Sequence, residues 1–162
     1  KDAQLSDKLS AEEDPAKIFR REHYALVYLA NNSAGDVDRI ILPIHGYGLW
    51  GTLYGFIALE ADANTVAGIG FYQHKETPGL GGEVDNPRWK GLWHGKQVYR
   101  DGDVAIALIK GTVDPTASNA SYEVDGLAGA TLTTRGVSNL VQYWLGENGF
   151  AGFLQNLKRG EV

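Results

Sequence analysis

Short apolar runs separated by turn residues dominate the first two thirds of the chain. The run from Tyr24 to Ala30 is apolar and β-prone, a turn cluster follows at Asn31–Asp36, and Val37–Ile44 resumes the apolar pattern. This order predicts a β-hairpin, because two strands joined by a short turn pair antiparallel. Further strands are predicted at Thr52–Glu60, Val66–Gln73 and Val104–Lys110.

The spacing of apolar residues becomes helical after Thr131. A helix ending near Gly146 is predicted from one apolar stripe, which consists of Val137, Leu140, Val141, Trp144 and Leu145. A last helix carries Phe150, Phe153, Leu154 and Leu157 on one face. Two earlier helices are predicted, one over residues 11–22 from the capping-box sequence Ser10–Glu13 with Pro15, and a short one over Asn86–Gly91.

Glycine-rich loops connect these elements. His45–Trp50 and Glu76–Glu83 contain too many glycines for regular structure, and Gly111–Glu123 is small and polar. Strands joined by tight turns, with helices at the ends, predict an α+β fold built on antiparallel sheet. The length of 162 residues suits a single domain spanning 1–162.

Composition excludes several classes of function. The net charge of −5 argues against nucleic-acid binding, which requires a basic face. The chain contains no cysteine, so disulfides, iron–sulfur clusters and thiolate nucleophiles are excluded. No apolar run approaches the roughly 20 residues of a membrane helix, and the polar start of the chain has no signal-peptide pattern. The chain is therefore expected to be soluble and monomeric.

The segment Asp125–Thr131 can bring a large group close to a hydroxyl. Asp125-Gly126 predicts a tight turn, and Gly129 and Ala130 leave little side-chain bulk before Thr131. The following helix is predicted to begin about two residues later, capped by Thr133 or Thr134, with Arg135 as a nearby cation. A helix amino terminus favours a phosphate group. On local pattern alone, an ordinary turn before a threonine-capped helix is the favoured explanation of the segment.

The sequence D-G-L-A-G-A-T-L-T at Asp125–Thr133 resembles the flavinylation motif of FMN-binding domains in sodium-translocating NADH:quinone reductases. His45–Trp50, Glu76–Glu83 and Tyr143–Gly146 resemble segments of the FMN-binding subunit of those complexes, in matching order and spacing from about residue 18 to 158. Ala128 departs from the motif, which usually has serine or threonine there. Family members also carry an amino-terminal membrane helix and a longer lead-in, so this chain is expected to be a soluble fragment.

The resemblance implies a cofactor and a set of residues around it. FMN would be esterified through its phosphate to Thr131 by a separate flavin transferase that uses FAD and magnesium. Trp50 and Leu80 would cover the isoalloxazine ring, and Lys110 would meet the phosphate or the reduced ring. The remaining cofactor-binding residues are expected to be Asp125, Gly126, Ala130, Leu132, Thr133, Glu76 and Thr77.

The resemblance also implies a biological setting. The domain would carry electrons in a sodium-pumping complex that oxidises NADH and reduces ubiquinone, next to the complex's other subunits. It would lie on the periplasmic side of a bacterial inner membrane. Alternatives are the related flavinylated subunit of a ferredoxin-linked ion-pumping complex and a secreted binding module without cofactor. A zinc or iron hydrolase is disfavoured, because the histidines His23, His45, His74 and His94 show no metal-binding spacing.

Overall fold

A four-stranded antiparallel sheet forms the centre of the computed structural model, which describes residues 5–162. Its strands follow one another in sequence, with neighbours joined by tight turns. The strands are β3 (Tyr28–Asn31), β4 (Val37–Tyr47), β5 (Thr52–Glu60) and β6 (Val66–Gln73). The last two have the bounds predicted from the sequence, and the hairpin of β3 and β4 is confirmed.

The other elements lie around this sheet. Among residues 5–162 they are β1 (Ser6–Lys8), β2 (Arg20–Glu22), α1 (Pro87–Gly91), β7 (Tyr99–Arg100), β8 (Asp103–Val104), β9 (Ala107–Leu108), β10 (Glu123–Val124), α2 (Thr131–Leu145), α3 (Ala151–Lys158) and 3-10 helices at Gly81–Asp85 and Ala120–Tyr122. Strands β1 and β2, and likewise β7 and β8, pair antiparallel, whereas β9 and β10 pair parallel. The predicted α+β class is confirmed.

One face of the sheet packs against helix α2. Alternate residues of the two central strands are buried, among them Ile40, Leu42, Ile44, Leu53, Ile57 and Leu59. They share a core with the apolar stripe of α2, whose residues Val137, Leu140, Val141 and Leu145 are buried. Gly46 lets the helix approach closely, because a Cβ atom there would lie 2.5 Å from Leu140 Cβ. This contact fixes the position of α2, and with it Thr131.

The opposite face of the sheet carries a row of aromatic side chains. Tyr28 lies 6.2 Å from Phe56 between ring centroids, Phe56 lies 5.7 Å from Tyr72, and Tyr72 lies 6.4 Å from Tyr54. His45 continues the row, stacked 5.6 Å from Tyr54. Tyr72 is 67% exposed, so part of this apolar face is open to solvent.

The prediction of a helix over residues 11–22 is wrong. The capping-box contacts do form, since the Ser10 hydroxyl and amide both donate to Glu13 Oε2. However, Asp14 then accepts the amides of Ile18 and Phe19 at 2.8 and 2.7 Å, which closes a loop instead of a helix. Lys17 and Phe19 adopt positive φ angles of 52° and 67°, outside the right-handed helical region. Residues 20–22 enter β2.

Four other element predictions need correction. Glu76–Glu83 is not wholly irregular, because a 3-10 helix begins at Gly81 and continues to Asp85. Val104–Lys110 is not one buried strand, because it contains only the last residue of β8 and the two residues of β9, and Lys110 is exposed. His45–Trp50 is not wholly a loop, since β4 continues to Tyr47. The strand predicted at Tyr24–Ala30 begins only at Tyr28. Within residues 5–162, no helix has the length and apolar character to cross a membrane.

Candidate functional site

Helix α2 begins at Thr131 itself, two residues earlier than the sequence pattern predicts. Ala130 is the N-cap and gives the helix no side-chain cap, and Gly129 has the positive φ of 70° that the preceding turn requires. The first-turn amides therefore remain available to an outside acceptor, as is general at helix starts. Thr133 and Thr134 are not caps, and each makes another contact.

Both threonines tie the first turn of α2 to neighbouring segments. The Thr134 hydroxyl accepts the amide of Leu127 at 2.9 Å, which closes the turn that precedes the helix. The Thr133 hydroxyl donates to the carboxyl group of Glu76. Both threonines are buried, whereas Thr131 between them and the turn is exposed. The Thr131 hydroxyl is thus presented on a helix start that is held from two sides.

Thr131 borders an open cleft of about 510 Å³. Its lining comprises Leu108, Ile109, Lys110, Gly111, Thr112, Gly126, Leu127, Ala128, Gly129, Thr131, Thr134, Arg135, Ser138 and Asn139. This lining includes two cationic side chains, Lys110 and Arg135. Among the described residues, it includes no aspartate or glutamate. In a protein of net charge −5, this cleft is the kind of place where an anion binds.

The floor of the cleft is close-packed backbone. The Gly126 amide donates to Gly111 O at 3.0 Å, and a Cβ atom on Gly126 would lie 2.3 Å from Ile109 O. Asp125 accepts the Val113 amide on Oδ1 at 2.9 Å. The Asp125 side chain therefore holds the loop after Lys110, which borders the cleft.

Glu76 is a buried junction between three segments. Its Oε1 accepts the amides of Leu49 at 3.1 Å and Trp50 at 3.0 Å, and its Oε2 accepts the Thr133 hydroxyl. Its own amide donates to His74 Nδ1 at 3.1 Å, and His74 Nε2 lies 2.8 Å from Asp85 Oδ2. Only 5% of Glu76 is exposed, so this side chain faces the protein interior.

Glycines make room for this junction. A Cβ atom on Gly48 would lie 2.7 Å from Glu76 Oε1, and one on Gly81 would lie 2.9 Å from Glu76 Oε2 and 2.5 Å from the Thr133 hydroxyl oxygen. Real Cβ atoms do not approach so closely. These two glycines of the predicted loops therefore serve the packing of Glu76.

The two predicted ring-covering residues, Trp50 and Leu80, are exposed, as is Leu132 of the predicted cofactor-binding set, and these three apolar side chains are called the rim below. Trp50 is 61% exposed, Leu132 is 52% and Leu80 is 43%. Leu80 lies over the turn before α2, since its Cδ2 is 3.1 Å from where a Cβ atom on Gly129 would be. Thr77 is exposed, and its carbonyl oxygen accepts the amides of Leu80 and Gly82. Trp50 is joined to the site through its backbone bond to Glu76.

The predicted residues thus separate into three places. Lys110, Gly126 and Thr131 lie together at the cleft, Glu76 and Thr133 lie in the junction behind it, and Trp50, Thr77, Leu80 and Leu132 lie at the exposed surface. Ser138 and Asn139, which were not among the predicted residues, also line the cleft from α2. Their spacing of seven and eight residues from Thr131 places them on one helical face, and this signal could have identified them.

The histidines have other surroundings. His45 packs against Tyr54 and Trp144 at 5.6 and 5.0 Å between ring centroids, and burial lowers the pKa of its imidazole. His23 pairs with Asp7 at the surface, at 3.0 Å. Across residues 5–162, no three or more histidine, aspartate or glutamate side chains are grouped as a metal site would require.

Comparison with known proteins adds independent evidence. The family model for the FMN-binding domain matches residues 48–146. The NqrC subunit of the Na⁺-translocating NADH-quinone reductase from Pseudomonas aeruginosa is 62% identical over 163 residues, which cover 100% of this chain and 62% of that protein. The same subunit from Yersinia pestis is 45% identical, with 100% and 60% covered. The chain thus spans less than two thirds of the length of these relatives.

Solved structures show the same fold. The crystal structure of Shewanella oneidensis NqrC aligns with a TM-score of 0.87 and 38% identity, over 96% of this chain and 70% of that one. The structure of the corresponding Na⁺-translocating NADH-quinone reductase subunit from Parabacteroides distasonis aligns with a TM-score of 0.63 and 34% identity, over 81% and 61%.

Proposed function

The chain belongs to the FMN-binding domain family and is homologous to the NqrC subunits of Na⁺-translocating NADH-quinone reductases, and from this premise we propose that it carries FMN as a phosphodiester on Thr131. One observation carries the proposal. An exposed threonine hydroxyl stands at the uncapped start of a 15-residue helix, on a cleft lined by two cations. A phosphate group can accept hydrogen bonds from the free amides of a helix start and is attracted by both cations.

The residues present fit this cofactor. The amides of the first turn of α2 and the side chains of Lys110 and Arg135 form a donor set for phosphate oxygens. Gly129 and Ala130 leave the approach to Thr131 free of bulk. Trp50, Leu80 and Leu132 supply apolar surface for a planar ring, and Thr77 supplies a hydroxyl at the same rim. When bound, FMN would supply reversible electron transfer, which the cysteine-free chain does not offer by itself.

Asp125, Gly126 and Ala130 shape this site through the backbone. Gly126 admits the close contact with the Ile109 carbonyl, and Asp125 fixes the loop at Val113 that follows Lys110. Ala130 ends the turn as the N-cap of α2. We assign them to the construction of the phosphate site.

The attachment step uses the chain's own hydroxyl and an outside co-reactant. The Thr131 Oγ1 oxygen bonds to the phosphorus in the FMN half of FAD, while the bond from that phosphorus to the AMP oxygen breaks and AMP leaves with the electron pair. The hydroxyl proton is released, so no oxidant or reductant is consumed. A flavin transferase with magnesium would supply FAD and its activation. Lys110 and Arg135 would hold the phosphate oxygens of the product.

The relatives' names and the resemblance described under Sequence analysis together suggest a wider setting. We propose that residues 1–162 form one FMN-binding domain that passes electrons within a Na⁺-translocating NADH-quinone reductase, in contact with other subunits of that complex. We place it on the periplasmic side of the inner membrane, without a role in nucleic-acid binding. The isolated chain is expected to be monomeric.

An intact-mass measurement tests the attachment. Co-expressed with a flavin transferase, the chain should gain the mass of FMN less one water on the peptide that contains Thr131. Thr131→Ala should abolish the gain, Thr131→Ser should retain part of it because the hydroxyl remains, and Thr116→Ala on an exposed loop should label like the wild type. Full labelling of Thr131→Ala would show that the acceptor is another residue.

A further inference from the structure

Glu76 is buried and bonded to both sides of the proposed flavin site. It is 5% exposed, and its oxygens accept the Leu49 and Trp50 amides and the Thr133 hydroxyl. Three segments distant in sequence therefore meet on one side chain: the loop of Trp50, the loop that continues to Leu80, and the first turn of α2. We propose that Glu76 is a positioning residue that couples the ring-covering loops to the attachment helix.

The geometry supports coupling rather than simple filling of space. Thr133 is two residues from Thr131, so a bond to its hydroxyl restrains the backbone that bears the phosphate. On the other side, amides of consecutive residues bind the same oxygen, which fixes the orientation of the Leu49–Trp50 peptide. The Trp50 side chain, 61% exposed, has little packing of its own to hold it in place. Its position is consequently set by the backbone bonds to Glu76.

The support behind Glu76 is also specific. The Glu76 amide donates to His74 Nδ1, which is therefore the acceptor nitrogen, and the proton of the neutral ring lies on Nε2, facing Asp85 at 2.8 Å. Gly48 and Gly81 are shaped to the carboxyl group, since a Cβ atom on either would lie under 3 Å from it. The carboxyl group is thus held by its neighbours in a single orientation.

Removing one of these bonds should release the rim without unfolding the domain. Bonds to a buried charged acceptor are among the stronger hydrogen bonds, so losing one should raise the population of released loops by about tenfold or more. Thr133→Val is the sharpest variant, because it keeps the shape of the buried side chain and removes only the hydroxyl. Thr133→Ser keeps a hydroxyl donor at this position, so its loops should be held as in the wild type.

A matched control lies on the same loop. The Glu83 carboxyl group binds the Asn86 side chain at 2.6 Å. Glu83→Gln changes the same charge a short distance along the chain and should leave the flavin unaffected. In Glu76→Gln, the side-chain oxygen can still accept the two amides and the side-chain NH₂ can donate to the Thr133 hydroxyl. This variant should therefore retain the fold while removing the negative charge from the site.

The experiment uses the full chain flavinylated by co-expressed transferase and rests on the proposed function. We expect Thr133→Val to keep the circular dichroism spectrum and the FMN mass. Its flavin fluorescence anisotropy should fall and its midpoint potential should move away from the wild-type value, with Thr133→Ser and Glu83→Gln matching the wild type. If Thr133→Val and Glu76→Gln both match Glu83→Gln in anisotropy and potential, the proposal is overturned.

A second readout separates this inference from the proposed function. In the unflavinylated chain, hydrogen exchange at the Leu49 and Trp50 amides should accelerate by about tenfold or more in Thr133→Val, since the opening of a local hydrogen-bonded unit sets the exchange rate. If the wild-type chain gains no FMN mass, the proposed function fails while this exchange measurement still decides the coupling. Unchanged exchange in Thr133→Val would refute the coupling even in a flavinylated protein.

Discussion

Gly136→Ala sets the higher helix propensity of alanine against overpacking at the contact between α2 and the sheet. Gly136 lies inside α2, where alanine is favoured over glycine by about 1 kcal/mol. A Cβ atom at this position would, however, lie 2.4 Å from the Tyr47 carbonyl oxygen and 2.9 Å from Gly48 Cα. Both are backbone atoms that cannot rotate away, so the helix itself must move.

The packing effect should exceed the propensity effect. Overpacking costs about 1–3 kcal/mol, and a rigid backbone neighbour places this site at the upper end. After subtraction of the helical gain, we expect a net loss of about 2 kcal/mol in the free energy of unfolding, or about 4–8 °C in Tm for a domain of this size. Because the displaced helix also carries Thr131, flavinylation under limiting transferase should slow.

Gly152 in α3 provides the matched control. A Cβ atom there meets nothing within 4 Å, so Gly152→Ala should be neutral or stabilising by up to about 1 kcal/mol. Urea unfolding followed by far-UV circular dichroism measures both variants, and equal m-values would show that the denatured state is unaffected. If Gly136→Ala stabilises the protein as much as Gly152→Ala does, the contact between α2 and β4 is not rigid, and the reasoning is refuted.

Three further predictions concern the cofactor and a buried tyrosine. Leu80→Ala and Trp50→Phe should change flavin fluorescence and midpoint potential but leave the FMN mass intact, because the proposed bond would form at the phosphate. Unchanged spectra would assign both residues to another role. Lys110→Ala together with Arg135→Ala should slow flavinylation in a salt-dependent manner, measured as FMN mass against time, and a wild-type rate would exclude these cations from phosphate binding. Burial raises the pKa of Tyr99 to about 12 from an ordinary value of 10.0, so the contribution of its neutral hydroxyl to stability is complete below pH 10 and is lost as the pH rises towards 12. Tyr99→Phe should therefore flatten the fall in the free energy of unfolding between pH 10 and 12. An unchanged slope of stability against pH in this variant would contradict the assignment.

Sequence analysis located the sheet well because its strands are bounded by local turn signals. The bounds of β5 and β6 are found as predicted, since turn residues at Ala61–Asn64 and the apolar runs beside them act over short distances. The failure at residues 11–22 has a different cause. Ser10 and Glu13 form the predicted local bonds, but the Asp14 carboxyl group outcompetes helix propagation by accepting two later amides. That choice depends on Asp14 being buried, which no local pattern reveals.

The same limit applies to the site. Thr133 and Thr134 have the residue type of helix caps, and only the tertiary structure gives them other partners at Glu76 and Leu127. Resemblance pointed to Glu76 as a site residue, and only the structure shows that its side chain bonds the amide of Trp50. Contacts between residues more than fifty positions apart cannot be predicted from spacing along one sequence.

The openness of the rim has a consequence for how a tethered flavin would be retained. Trp50, Leu80 and Leu132 are 61%, 43% and 52% exposed, so a ring that rests on them would have a shallow seat rather than an enclosing pocket. A ring linked covalently to Thr131 is present at an effective concentration in the millimolar range, as for other short flexible links. Binding contacts of about 4 kcal/mol correspond to a dissociation constant in the same millimolar range, so they would keep the ring on these residues about half of the time. A free flavin that bound so weakly would be lost on dilution. The tether therefore permits a ring that leaves its seat and returns to it, and a site whose surface stays accessible to an electron-transfer partner.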